Sequence, residues 1–234
     1  MIKLRPAGER GHADRGWLSS WFTFSFADYN DPAHAGFRAL RVLNDDVIAP
    51  GKGFGAHAHR DMEIITYMLS GQLAHKDSTG EQHVIGPNTI QAMSAGTGIV
   101  HSEFNASDSE PSHSLQIWIE PAGEDFEPSY QQISYSAAER RNRFRLLAGP
   151  LRHDGSAVIH QDASVYAAEV SPGDTLHRRI APGRHAWVQV ARGSMVLNGH
   201  SLAAGDGAAI SDETELSFTG EGTTPAEFLF FDLA

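Results

Sequence analysis

Residues two apart on an extended chain project from the same face, and the segment Gly53-Phe54-Gly55-Ala56-His57-Ala58-His59-Arg60-Asp61-Met62-Glu63 places two histidines that way. His57 and His59 can therefore reach one point. Glu63 shares their parity if the strand stays regular, so its carboxylate faces the same point or lies just behind it. Further along, Ala95-Gly96-Thr97-Gly98-Ile99-Val100-His101-Ser102-Glu103 repeats the spacing with His101 and Glu103. Two strands can thus offer three imidazoles and a carboxylate to a single ion. That set suits a borderline divalent transition metal: iron, manganese, nickel, cobalt, copper or zinc. Four protein ligands on an octahedral ion leave two positions open for reacting groups. The chain has no cysteine, so thiolate ligands, cysteine nucleophiles and disulfides are excluded together.

The other histidines, His12, His34, His75, His83, His113, His153, His160, His177, His185 and His200, stand singly and read as solvated or hydrogen-bonded residues.

The elements that must position these ligands are short, alternating or apolar runs cut by Gly, Asn and Asp. Runs 38–44, 63–69, 115–120, 165–170, 187–190 and 228–231 read as strands. Ser70-Gly71, Asn198-Gly199 and Gly205-Asp206-Gly207 read as turns, which points to an all-β barrel or sandwich. The glycines before His57 suit a chain bending at a barrel rim. A helix is expected over 136–143, with Ser134 or Ser136 as N-cap.

The chain also repeats itself. Ile64-Ile65-Thr66-Tyr67-Met68-Leu69-Ser70-Gly71 resembles Ala186-Trp187-Val188-Gln189-Val190-Ala191-Arg192-Gly193, an offset of 122 residues between Gly71 and Gly193. Gly86 before Asn88-Thr89-Ile90 falls near Gly205 before Gly207-Ala208-Ala209-Ile210, an offset of 119. Two domains follow, at 1–125 and 126–234, joined through the short helix. Carrying the offsets across, His57, His59 and Glu63 fall on Arg179, Ala181 and His185, and His101 and Glu103 on Gly220 and Gly222. No coherent ligand set survives, so the metal is expected in the first domain alone.

A formal net charge of −11, with no Lys/Arg-rich run, argues against direct nucleic-acid binding. No stretch approaches the roughly 20 apolar residues of a membrane span, and no signal-peptide pattern is present, so a cytoplasmic protein is expected.

Gly51-x5-His57-x-His59-x3-Glu63-x7-Gly71 followed by Gly98-x2-His101-x3-Asn105 resembles the two cupin motifs. More closely, the chain resembles bacterial pirins of the quercetin 2,3-dioxygenase type. That likeness is carried by Arg10-Gly11-His12, Gly16-Trp17-Leu18, Thr23-Phe24-Ser25-Phe26-Ala27, Arg41-Val42-Leu43-Asn44-Asp45-Asp46, Met93-Ser94-Ala95-Gly96-Thr97-Gly98 and Gln116-Ile117-Trp118-Ile119, besides the motifs themselves. The resemblance implies a bicupin, two tandem jelly-roll-like cupin β-barrels with one metal in the first. It also implies His57, His59, His101 and Glu103 as ligands, where the general cupin pattern would use Glu63, left here as a nearby carboxylate. Gly96 stands where the second motif usually carries proline, a departure expected to cost little.

The activity implied is dioxygenolytic opening of a flavonol such as quercetin with release of carbon monoxide. Its metal is iron(II) by resemblance, with manganese, nickel, cobalt, copper and zinc open. Glu103 or Glu63 would take the flavonol proton, and the flavonol and dioxygen are the expected partners. Two other readings stay open: a metal-binding regulator acting through a protein partner, and another small-molecule enzyme on the same site.

Overall fold

In the computed structural model, which describes residues 1–153 and 155–234, the regular structure of the described residues is strand apart from short 3₁₀ turns. The strands are β1 (Ile2–Arg5), β2 (Gly11–Asp14), β3 (Leu18–Phe22), β4 (Leu40–Ile48), β5 (Gly53–His59), β6 (Glu63–Ser70), β7 (Leu73–Asp77), β8 (Gln82–Ile85), β9 (Thr89–Ser94), β10 (Ile99–Asn105), β11 (Ser112–Ile119) and β12 (Ser129–Ser134). They continue as β13 (Phe144–Gly149), β14 (Ala157–Val158), β15 (Ala163–Val170), β16 (Thr175–Arg179), β17 (His185–Arg192), β18 (Ser194–Leu197), β19 (His200–Ala203), β20 (Gly207–Ile210), β21 (Glu215–Glu221) and β22 (Ala226–Leu233). Two compact units result. The N-terminal unit comprises Gly11–Tyr135 and Leu151–Gln161; the C-terminal unit comprises Met1–Arg10, Ser136–Pro150 and Asp162–Ala234. No helix of the described residues is long and apolar enough to cross a membrane.

Each unit is a pair of antiparallel sheets of jelly-roll type, as the cupin likeness implies. In the N-terminal unit the orders are β12-β9-β6-β11-β4-β3-β2 and β5-β10-β7-β8; in the C-terminal unit they are β1-β20-β17-β22-β15-β13 and β16-β21-β18-β19. Strand for strand through β3 and β13, the two arrangements are the same, with β6 matching β17 and β10 matching β21. The internal repeat is therefore a repeat of topology. Its anchor glycines match in backbone as well: Gly71 and Gly193 both have φ of 70°. A Cβ on either would stand against a proline carbonyl oxygen, 2.6 Å from that of Pro111 and 2.5 Å from that of Pro225. Only glycine fits where a strand ends this close to its neighbour.

The pairing registers correct the sequence alignment of the two halves. Starting from Gly71 and Gly193, His75 corresponds to Leu197, and the strand opposite places Glu103 on Phe218 and His101 on Leu216. Across β5 and β16, His57 corresponds to Arg178, and His59 to Ile180, whose N–H donates to the Thr214 carbonyl. The first motif slips by one residue and the second by four relative to the constant offsets. The first slip arises between β5 and β6, where three residues (60–62) stand against four (181–184) between Ile180 and β17; the second begins in the hairpin after Gly71 and Gly193. Asn198-Gly199, with positive φ at both residues, closes β18 to β19 in two residues, whereas β7 and β8 are joined by the longer Asp77–Glu81 turn.

The expected helix over 136–143 shortens to one 3₁₀ turn, Ala137–Glu139. Ser136 does cap it: the Glu139 carboxylate accepts from the Ser136 N–H at 2.7 Å and from its hydroxyl at 2.9 Å. The next residues are claimed by β15 instead. Glu169 N–H donates to the Arg140 carbonyl and Asn142 N–H to that of Glu169, at 2.8 and 2.7 Å, and Asn142 turns to φ 51°. Tertiary pairing outweighs local helix propensity here.

Gly96, standing where the second motif usually carries proline, is demanded by the backbone around it. Its φ is 45°, and a Cβ would lie 1.9 Å from the Phe126 carbonyl oxygen. Proline, locked near φ −65°, cannot take this conformation. Gly96→Ala is expected to destabilise the protein by about 3 kcal/mol or more, combining left-handed backbone strain with overpacking. A urea midpoint unchanged from wild type would refute this.

Candidate metal centre

β5 and β10 pair with a bulge at the critical position. His57 lies opposite His101, but Glu103 lies opposite Phe54, so β5 carries one residue more than β10 between the two pairs. A bulge bends its strand and re-aims side chains. Here it frees the Gly55 carbonyl, which lies 2.8 Å from His57 Nδ1. With Nδ1–H donating there, Nε2 of His57 is left as the bare nitrogen.

The ring centroids of His57, His59 and His101 form a near-equilateral triangle with sides of 4.8, 4.4 and 4.9 Å. Their ligand nitrogens lie within 4.8 Å of one another. Burial, reinforced by repulsion from His57, holds His59 at about 4; the same causes, with repulsion from His59 added, hold His101 at about 3. Both imidazoles are neutral at pH 7 with a lone pair to give. His101 Nε2 is buried and has no hydrogen-bond partner among the described residues. An unsatisfied buried nitrogen costs about 1–3 kcal/mol, and a metal ion would satisfy it without needing room for a water. The residues present fit a borderline divalent ion.

Glu103 is buried on the same strand, two residues from His101. Gln91 Nε2 donates to its Oε1 and Gln116 Nε2 to its Oε2, the latter at 3.2 Å, while the Thr66 hydroxyl ties the two amides together. Burial pushes the Glu103 carboxyl up to about 7 against these bonds. A second grouping among the described residues brings Glu103 together with His101 and His75.

Glu63 goes elsewhere. Asp61, at φ 46°, breaks the extended run after His59, and Glu63 opens β6 in the other sheet. Its carboxylate accepts from the Ser94 hydroxyl at 2.7 Å and pairs with His160 Nδ1 at 3.0 Å. His160 stacks on Phe126 and belongs to the Leu151–Gln161 segment that returns to this unit.

A cavity of about 280 Å³ opens beside the histidines, just below the ~300 Å³ at which small-molecule pockets begin. Phe22, Phe26, Phe54 and Trp118 wall it; His57, His59 and Glu103 reach its surface, with Asn44, Asp46 and Gln116 as further polar groups. Trp118 lies edge-on to His59 at 4.9 Å. Burial raises Asp46 to about 7, opposed by a hydrogen bond from Ser20.

Sequence reasoning missed His75, which is buried and lies 3.4 Å from His101 through their Nδ1 atoms. The signal was the His75-x-Asp77 alternation on β7, the same spacing as in the ligand pairs. It also missed Gln91 and Gln116, which look like ordinary strand residues.

In the C-terminal unit the matching positions are packed with hydrocarbon. Ile180, Leu197, Leu216 and Phe218 lie in one buried cluster with Phe228 and Phe230. Phe218 stacks on Phe228 at 5.0 Å, and Arg178, at the position of His57, caps Tyr166 with its guanidinium 4.3 Å from the ring centre.

A family model described as Pirin matches residues 3–119, and one described as Quercetinase C-terminal cupin domain matches residues 146–233. A quercetin 2,3-dioxygenase of Escherichia coli K12 is 46% identical over 233 residues, covering 100% of this chain and 99% of the relative. A pirin-like protein of Caulobacter vibrioides is 39% identical over 235 residues, covering 100% of each. Among solved structures, the bacterial pirin YhhW from Escherichia coli in complex with nickel(II) gives a TM-score of 0.94 at 45% identity, covering 100% of this chain and 99% of that one.

Proposed function

The chain belongs to the pirin family, and from that premise we propose that it is a metal-dependent dioxygenase that opens the heterocyclic ring of flavonols such as quercetin, releasing carbon monoxide. The observation that carries the reading is a trio of imidazoles, two of them held neutral by burial, beside a buried carboxylate at an aromatic-walled cavity. His57, His59, His101 and Glu103 would hold one divalent ion, with iron(II) favoured. Nickel(II) is bound by the YhhW relative. Such an ion supplies Lewis acidity for the flavonol oxyanion and a route for electrons between substrate and dioxygen.

The chain's own residues do the rest. Phe22, Phe26, Phe54 and Trp118 clamp a flat ring system and exclude water. Glu103 takes the proton of the flavonol hydroxyl, and the Gln91 and Gln116 amides stabilise the carboxylate before that transfer and orient it throughout. Both atoms of dioxygen enter the products, one ring carbon leaving as carbon monoxide and the remainder as an ester. Of the two carboxylates, Glu103 reaches the cavity, whereas Glu63 is engaged with Ser94 and His160 and better serves to hold the neighbouring segment. The same reading assigns the metal to the domain 1–125 and a metal-free role to 126–234.

Protein loaded in turn with Fe(II), Mn(II), Ni(II), Co(II) or Cu(II), then mixed with quercetin in air, is expected to consume the flavonol and evolve carbon monoxide with at least one metal. Consumption must stop when oxygen is removed. Absence of turnover with all five metals would refute the dioxygenase.

A further inference from the structure

His75 is buried beside the histidine trio, yet neither the proposed ligand set nor the proposed reaction uses it. Both its ring nitrogens are engaged: Nε2 lies 2.9 Å from Asp77 Oδ2 and Nδ1 lies 3.4 Å from His101 Nδ1. The side chains of His75 and Asp77 are both fully enclosed. The proton positions along this row follow from the carboxylate, which can only accept. Its other oxygen, Oδ1, already receives the Thr79 N–H at 2.9 Å, the Thr79 hydroxyl at 2.6 Å and the Glu81 N–H at 3.2 Å, so the β7–β8 turn holds Asp77 rigidly as an acceptor.

His75 Nε2 must then be the N–H donor to Asp77. A neutral His75 has its lone pair on Nδ1, which can pair with His101 only if His101 Nδ1 carries the hydrogen. A neutral His101 is left with its lone pair on Nε2, the buried atom that has no hydrogen-bond partner among the described residues. We propose that Asp77 and His75 are positioning residues that fix the tautomer of His101, so that Nε2 is the nitrogen offered to the metal. Outer hydrogen bonds of this kind orient ligand rings and raise their basicity.

The C-terminal unit supplies independent support. There the places of His75 and His101 are taken by Leu197 and Leu216, both buried in the apolar core. The fold therefore needs no imidazole at either position, and the pair is present in the N-terminal unit for what it does to the site. A role for His75 as a ligand together with His101 and Glu103 would have to use the same Nδ1 lone pair, and so would give up the contact with His101 Nδ1.

The inference rests on the metal reading above, and its test needs no turnover. Nickel(II) affinity is measured by calorimetry on the full-length apo protein, and the tautomer of His101 is read from long-range ¹H–¹⁵N spectra of the same protein. In wild type, His101 is expected as the pure Nδ1–H form. His75→Leu, which installs the residue found at the matching position, is expected to fold, to bind nickel(II) about 10–100-fold more weakly, and to show His101 as a mixture of tautomers. Asp77→Asn leaves His75 in place but can donate to it, and is expected to weaken binding and disturb the His101 tautomer likewise.

Wild-type affinity in both variants overturns the proposal. So does a loss of thermal stability with affinity unchanged, or weaker binding with His101 still purely Nδ1–H. A wild-type protein that binds no nickel(II), or binds it as well after His57→Ala, refutes the metal reading itself, a failure visible before either relay variant is made.

Discussion

His101→Ala is expected to leave purified protein with less than about a tenth of an equivalent of metal, a larger loss than the ~10–100-fold affinity drop typical when only an outer partner is removed. His101 sits at the centre of the arrangement: its ring faces both His57 and His59, and its Nε2 is the buried nitrogen without a partner. Removing it takes one of three converging imidazoles and opens a void beside His75. His57→Ala should act similarly, since the bulge commits its Nδ1 to Gly55 and leaves Nε2 for the ion. His185→Ala is the matched control. That residue stands in the C-terminal unit, 2.8 Å from the Ser211 hydroxyl, and its loss should leave a full equivalent bound. Elemental analysis of the three variants decides the matter: a full equivalent in His101→Ala would show that the ligand set is wrong.

Glu103→Gln is expected to lower flavonol turnover by about 10²–10⁴-fold, the usual contribution of a positioned proton acceptor. The substitution preserves size but removes the ability to take a proton. It also sets an amide against two amide donors, Gln91 and Gln116, so one hydrogen bond must be lost or a side chain must flip. Metal content measured alongside separates the two roles assigned to Glu103. Turnover lost with metal retained identifies the base; both lost together identify a ligand. Turnover within tenfold of wild type, with metal bound, would remove Glu103 from the chemistry. Glu63→Gln should leave both readouts near wild type, because Glu63 opens a strand of the other sheet and is occupied by Ser94 and His160.

Much of the site is legible in the one-dimensional pattern because strand parity is local. Covalent geometry makes residues i and i+2 share a face wherever the chain is extended, so the His57/His59 and His101/Glu103 pairs could be read without knowing what they face. The same rule misplaces Glu63, since its parity argument runs through Asp61, whose positive φ ends one strand and sends the next into the other sheet. His75 was passed over for a related reason. A single histidine acquires meaning only from what the paired strand brings beside it, and that is Glu103 and, through it, His101. The helix over 136–143 fails because Glu169 claims the backbone partners that helical propensity would have used.

By itself, then, the sequence determined the all-β class, the absence of thiol chemistry and the two candidate ligand pairs, and its internal repeat pointed to a duplicated β domain. These depend on composition and short-range periodicity, which the chain carries in any conformation. Only the tertiary structure decided that β5 and β10 lie side by side with a bulge between the pairs, that Glu63 turns away, and that His75 and Asp77 stand behind His101. It alone corrected the register between the halves, showing that Arg178, Ile180, Leu216 and Phe218 occupy in the C-terminal unit the places of the candidate ligands His57, His59, His101 and Glu103. Register depends on hairpin length and on the packing of distant residues, and neither is encoded in the periodicity of any single strand.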